Sequence, residues 1–268
     1  MLACLLLAGC QAMPSERFAQ ARGLAEAGRM VERDIAAPPF VLRSYARIGD
    51  PASGTARLYI EGDGLAWLSR SRPSPDPTPI NPVALSLARA DPAPNVIWLA
   101  RPCQYHRSVS GKRCPSRYWQ TARFAPEAIA AMSGAINELK RAHGLKQLEL
   151  VGFSGGGAVV LLLAARRNDI VSVRTVAGNL DIDAFTRLHG VSPMSVSLNP
   201  AASARRLITV PQRHFVGTED KVVPPDIYRS YHAAAGPNAT ASLAMVSGAS
   251  HEDGWVERWP ELVAQRVP

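Results

Sequence analysis

Leu148-Glu149-Leu150-Val151-Gly152-Phe153-Ser154-Gly155-Gly156-Gly157-Ala158-Val159-Val160-Leu161-Leu162-Leu163-Ala164 reads as a buried strand that turns through a serine among glycines into an apolar helix. The turn matches the pattern G-x-S-x-G, which needs very small residues at Gly152 and Gly156 because a side chain at either would meet the crossing backbone. Glycine also tolerates the strained torsions of so tight a corner. Two other readings compete. A phosphate-binding loop would carry Lys-Ser/Thr after the glycines, and a dinucleotide fingerprint would need G-x-G-x-x-G with an acidic residue further on. The serine could also be only the N-cap of the helix.

Outward from this stretch the chain alternates. Upstream strands are expected at Phe40 to Ile48, Arg57 to Glu61 and Asn95 to Ala100, with helices from Pro82 to Ala90 and from Pro126 to His143, the latter closed by Gly144 in a C-cap position. Downstream, strands are expected at Ile170 to Ala177, Leu207 to Val216 and Ala241 to Val246, and helices near Asp226 to Ala235 and Trp255 to Val267. Pro73 to Pro82 is too proline-rich for helix. Strands interleaved with helices at this spacing indicate an α/β protein with a doubly wound, mostly parallel sheet. The domain is expected over residues 37–268, with residues 1–36 an N-terminal segment whose part from residue 13 is a polar helical tether.

Composition narrows the class. The 268 residues are 47% hydrophobic and 19% charged, enough to bury one large core. Glycine and proline follow no period, which excludes collagen-like and low-complexity chains. The formal charge of +8 invites a nucleic-acid partner. Its carriers are scattered, with Arg166-Arg167 and Arg205-Arg206 only as pairs, so a solvated surface and no nucleic-acid partner are expected.

A serine is a poor nucleophile unless a base lies in hydrogen-bond reach, and that base needs an orienting carboxylate. Two later segments offer them: His214-Phe215-Val216-Gly217-Thr218-Glu219-Asp220-Lys221-Val222-Val223-Pro224-Pro225, and Ala244-Met245-Val246-Ser247-Gly248-Ala249-Ser250-His251. With the serine turn, these resemble the three motifs of α/β-hydrolase serine esterases and lipases, in the order serine, acid, histidine. The resemblance spans about residues 56 to 262. It implies Ser154 as nucleophile, Asp220 as acid with Glu219 the runner-up, and His251 as base. Asp220 is otherwise a turn carboxylate bonded to its own backbone. His214, inside a strand, is expected to be structural.

The same resemblance implies two oxyanion donors: the amide of Gly155 at the helix start, and one from the loop after an early strand, at Asp63 or Gly64 in Glu61-Gly62-Asp63-Gly64. Glu61 stands where the family usually has histidine. A plain β-turn would use Asp-Gly equally well. Trp67, Tyr105, Trp119 and Phe185 are available to line a pocket or to join the core, and Asn179 to Asn199 is long enough for a small lid. The implied activity is cleavage of a carboxylic ester, a small-molecule acyl substrate, with no cofactor and no metal. The alternatives are a peptidase, thioesterase or acyltransferase with the same three residues, or a non-catalytic binding protein on this scaffold.

The N-terminus Met-Leu-Ala-Cys-Leu-Leu-Leu-Ala-Gly-Cys resembles the signal of bacterial lipoproteins, which implies lipidation at Cys10, anchoring to a membrane, and residence in the periplasm or cell envelope. Cys103 and Cys114 then form an even pair in a polar loop of an exported chain, for which a disulfide is expected. His106 nearby raises a metal site as the competing reading, but no second Cys/His pair has zinc-type spacing.

Overall fold

The computed structural model describes residues 13–268 apart from Arg70, Arg107 and Ser110. In chain order the elements are α1 (Pro14–Ala27), β1 (Val31–Ala37), β2 (Phe40–Ile48), β3 (Thr55–Ile60), α2 (Val83–Ala90), β4 (Asn95–Leu99), β5 (Ser108–Val109) and β6 (Lys112–Arg113). There follow α3 (Pro126–His143), β7 (Gln147–Phe153), α4 (Gly155–Ala164), β8 (Ile170–Val176), α5 (Ile182–His189), β9 (Gln212–Gly217), α6 (Pro225–Ala235), β10 (Ala241–Val246) and α7 (Trp259–Ala264). One sheet runs in the order β10-β9-β8-β7-β3-β4-β2-β5-β6, with β1 paired to β2. From β10 to β4 every neighbouring pair is parallel, and β2 turns the direction by pairing antiparallel with β4.

The period-two alternation of the central strands sorts the core into two layers. Leu58, Ile60, Ile97, Leu99, Leu148 and Leu150 point to one face, where they pack with α3, α4 and α6. Tyr59, Val96, Trp98, Val151 and Phe153 point to the other, against α1, α2 and α7. Every residue of α4 is buried, which is why its sequence lacks an amphipathic stripe. α3 buries one face only and ends where expected, with Gly144 at φ 66° donating its N–H to Lys140 O.

Three expectations are corrected. The segment taken as a tether is α1, which buries Arg17, Ala21 and Ala25, followed by β1, whose register runs from Val31↔Ala46 to Ala37↔Phe40. Only Ile35 and Ala37 of β1 are buried, so its sequence carries no alternation to reveal it. Leu207 to Pro211 is not strand: a 3-10 helix covers Pro200–Leu207, and β9 starts after Pro211, whose missing N–H cannot join a ladder. The last helix is shorter than expected and begins at Trp259 with Pro260 in its first turn. Cys103 and Cys114 are disulfide-bonded, with Cα atoms 5.9 Å apart. Cys10 lies outside the described residues. Among those described, no helix is long and apolar enough to cross a membrane.

Candidate active site

Ser154 stands between β7 and α4 at φ 51°, ψ −120°, a torsion pair that side-chain-bearing residues adopt only when the surroundings enforce it. Its N–H donates to Val176 O at 3.0 Å, and its carbonyl accepts from Gly157 N and Asn179 N, each at 2.9 Å. The corner is closed by contact of backbones. A methyl group at Gly156 would lie 2.7 Å from Glu61 O and closer still to Ile60 O; one at Gly152 would overlap the Gly156 carbonyl. α4 therefore starts against the end of β3, and its first residues, directly after Ser154, carry amides that have no partner within the helix. Gly155 is the first of these.

Asp220 and His251 come from loops at the ends of β9 and β10, the same edge of the sheet that carries Ser154. These loops are tied together: Thr218 N donates to Val246 O, Glu219 N to Ala249 O, and Gly248 N to Thr218 Oγ1. The Asp220 side chain is fully buried, and its Oδ1 accepts from Val222 N and Val223 N, both at 2.8 Å. Oδ2 is left for His251 Nδ1 at 3.0 Å. With the ring proton on Nδ1, His251 Nε2 is an acceptor 3.0 Å from Ser154 Oγ. The imidazole is steadied by the Phe153 ring at 5.4 Å, and the backbone carbonyls of His251 and Ser250 accept from Trp255 Nε1. Ser154, His251 and Asp220, 97 and 31 residues apart in sequence, are thus joined in one hydrogen-bonded line. Glu219 is exposed and takes no part in it.

The loop after β3 passes on the other side of Ser154. Glu61 is buried and accepts from Gly62 N at 2.9 Å, Trp98 Nε1 at 3.0 Å, and Ala84 N and Leu85 N at 3.3 Å. It caps α2 from outside that helix and pins the loop to it, which is how the departure from histidine is accommodated. Burial pushes its carboxyl up to about 7, against the four donors. Gly64 takes the left-handed conformation at φ 66°, and Leu65 N donates to Pro77 O. The Asp63 carboxylate abuts Gly155 and is held by Arg123 Nη1 at 2.5 Å and Arg101 Nη1 at 3.3 Å. Burial alone would raise the Asp63 carboxyl, but the two guanidiniums outweigh it and hold it below the usual carboxylate range.

These residues surround a cleft of about 520 Å³ lined by Ser154, His251, Asp63, Arg123 and Asn179, with Trp67, Ile80, Phe185 and Val222 as apolar walls. Of the aromatic candidates, Trp67 and Phe185 line it. Trp119 is buried and donates to Ser74 O, and Tyr105 is buried between Phe18 and Trp98, so both belong to the core. The expected lid segment contains α5, whose His189 hydrogen-bonds Val222 O at 2.8 Å, tying it to the acid loop. His106 pairs with Asp34 at 2.7 Å, and His214 is a core residue hydrogen-bonded to Thr175 Oγ1, its basicity lowered to about 3 by burial. Among the described residues no group of three or more His, Cys, Asp or Glu is placed to hold a metal ion.

No motif in the sequence marks Arg101, Arg123 or Asn179 as part of the site. The arginines meet Asp63 across 38 and 60 residues, with no local pattern to signal it. Asn179 follows a strand, where asparagine ordinarily reads as a turn residue.

Neither a protein-family model nor a curated protein sequence matches the chain. Its fold is that of α/β serine hydrolases of known structure. An α/β serine hydrolase homologue from Coxiella burnetii is similar over 87% of this chain and 93% of its own, at TM-score 0.58 and 15% identity. Est1E from Butyrivibrio proteoclasticus, in a structure with ferulic acid bound, is similar over 86% and 96%, at 0.59 and 12% identity. A serine hydrolase without a lid from Xanthomonas campestris is similar over 83% and 85%, at 0.52 and 17% identity.

Proposed function

We propose that the protein is a serine hydrolase that cleaves carboxylic esters through an acyl-enzyme. Ser154 Oγ attacks the carbonyl carbon while His251 Nε2 takes its proton, and the Asp220 carboxylate orients the ring and stabilises the imidazolium. The negative charge that develops on the carbonyl oxygen is met by backbone amides of Gly155 and of the Asp63-Gly64 loop, pre-aligned and costing no rearrangement. The imidazolium returns the proton to the departing alkoxide, the alcohol leaves, and water repeats the sequence to release the acid. The observation that carries this reading is the pair of 3.0 Å contacts, Ser154 Oγ to His251 Nε2 and His251 Nδ1 to Asp220 Oδ2, on a strained turn facing an open cleft.

Replacing Ser154 by Ala should remove turnover of p-nitrophenyl butyrate by at least about 10⁴-fold with thermal unfolding unchanged. Turnover retained in Ser154→Ala refutes the assignment. Offering thioester, amide and alcohol co-substrates to the same preparation separates the esterase from the thioesterase, peptidase and acyltransferase readings. Export is part of the proposal: the Cys103–Cys114 disulfide suits an oxidising compartment, and a lipid on Cys10 would hold the domain at the cell envelope.

A further inference from the structure

The polar side chains that line the cleft mostly have partners within the fold. Asp63 is held by Arg123 and Arg101, Glu61 by four donors, and Glu252 accepts from Asn81 Nδ2 at 3.3 Å. Asn179 differs. It is only 3% exposed, it lines the cleft beside Ser154, and its carboxamide oxygen has no hydrogen-bond partner among the described residues. Its backbone N–H ties it to the site by donating to Ser154 O, a service any residue but proline would perform. Nothing in the fold therefore calls for a carboxamide here. A buried polar atom without a partner is destabilising, so its retention needs a reason outside the folded chain.

We propose that Asn179 is a substrate-contacting specificity residue that selects esters carrying a hydroxyl group close to the scissile carbonyl. The inference rests on the hydrolase reading above and deepens it. The oxygen and nitrogen of a carboxamide exchange places by a half-turn, and in either orientation the buried position holds an unsatisfied group, an acceptor in one and a donor in the other. A hydroxyl both donates and accepts, so it satisfies both. Closeness to the reacting carbonyl follows from the cleft that both residues line, with their backbones joined by the Asn179 N to Ser154 O hydrogen bond at 2.9 Å. An ester without the hydroxyl would leave the carboxamide unpaired in the closed complex, which is the way a site built for a hydrogen bond rejects an analogue lacking it.

The test compares kcat/KM within two pairs: p-nitrophenyl 3-hydroxybutyrate against p-nitrophenyl butyrate, with the hydroxyl in the acyl part, and glyceryl monobutyrate against propyl butyrate, with it in the alcohol. The parent protein should favour the hydroxylated member of one pair by about tenfold to a hundredfold. In Asn179→Leu, close in shape and apolar, that ratio should fall towards one while the melting temperature holds or rises. Asn179→Ala should show the same loss of ratio and serves if Asn179→Leu does not fold. Equal kcat/KM within both pairs in the parent protein, or a ratio that survives in the folded variants, overturns the inference. A fluorophosphonate probe keeps the two readings apart: Ser154 labelled with no hydroxyl preference sinks this inference alone, whereas Ser154 unlabelled and all four esters untouched sinks the hydrolase reading with it.

Discussion

Replacing Asp220 by Asn changes one atom and should disable the site through the geometry around it. Asp220 Oδ1 accepts two backbone N–H groups, from Val222 and Val223, at 2.8 Å each. Turning the new amide nitrogen towards them would orphan both, a penalty of about 1–3 kcal/mol apiece. The carbonyl oxygen must therefore stay there, and the NH₂ group is forced towards His251 Nδ1, where Oδ2 stood at 3.0 Å. Nδ1 then accepts, the ring proton moves to Nε2, and the atom 3.0 Å from Ser154 Oγ becomes a donor that cannot take the hydroxyl proton. A wrong tautomer in this arrangement lowers the rate by about 10⁴-fold, equivalent to about 5.5 kcal/mol of barrier. Stability should change little, because the backbone bonds persist and the hydrogen bond to His251 Nδ1 is kept with its direction reversed. The assay is kcat/KM for p-nitrophenyl butyrate beside a thermal melt of the same sample. Activity within tenfold of the parent, in a variant that keeps its melting temperature, would refute the reasoning.

Two further outcomes follow from the packing. Gly156→Ala places a methyl group on the carbonyls of Ile60 and Glu61, backbone that cannot rotate away, and should destabilise by about 1–3 kcal/mol or more, lowering the melting temperature by at least a few degrees; an unshifted melt would contradict the crossing of α4 over β3. Glu61 has a folded-state carboxyl raised to about 7 from an ordinary value of 4.5, so between those pH values the folded chain holds a proton that the unfolded chain has released. Its contribution to stability is complete below pH 4.5 and falls by about 3 kcal/mol as pH rises through 7. His214, depressed to about 3, acts in the opposite sense, losing stability as pH falls below 6.5, so the Glu61 effect is read as a difference. Unfolding free energies of the parent and Glu61→Gln should converge towards alkaline pH in slope and diverge between pH 4.5 and 7; parallel curves across that window would show that Glu61 is ionised throughout.

Much of the architecture was legible because the central strands are short apolar runs punctuated by glycine, proline or aspartate. Phe40–Ile48, Ala241–Val246 and Pro126–His143 have the bounds expected of them. The serine turn was legible for a steric reason, since a strand that must cross a helix backbone at contact distance leaves glycines as its mark. The meeting of Ser154 with Asp220 and His251 was reachable only through the order of motifs along the chain, and the structure brings the three side chains together. Other features leave no local trace. β1 buries two residues of seven, too few to make a period. The pairing of Asp63 with Arg101 and Arg123 joins residues 38 and 60 positions apart. Glu61 looked like a departure from a familiar loop, and what it does depends on the amides of Ala84 and Leu85, which reach it only once α2 has packed against β3.

The most direct measurement of the central claim is covalent capture of the nucleophile. Folded protein treated with a fluorophosphonate probe should gain one adduct per chain by intact mass, mapped by peptide sequencing to the segment containing Ser154. The adduct should be absent in Ser154→Ala and slowed by orders of magnitude in His251→Ala. A folded parent protein that takes up no probe, or takes it up at another residue with Ser154 unmodified, would contradict the account.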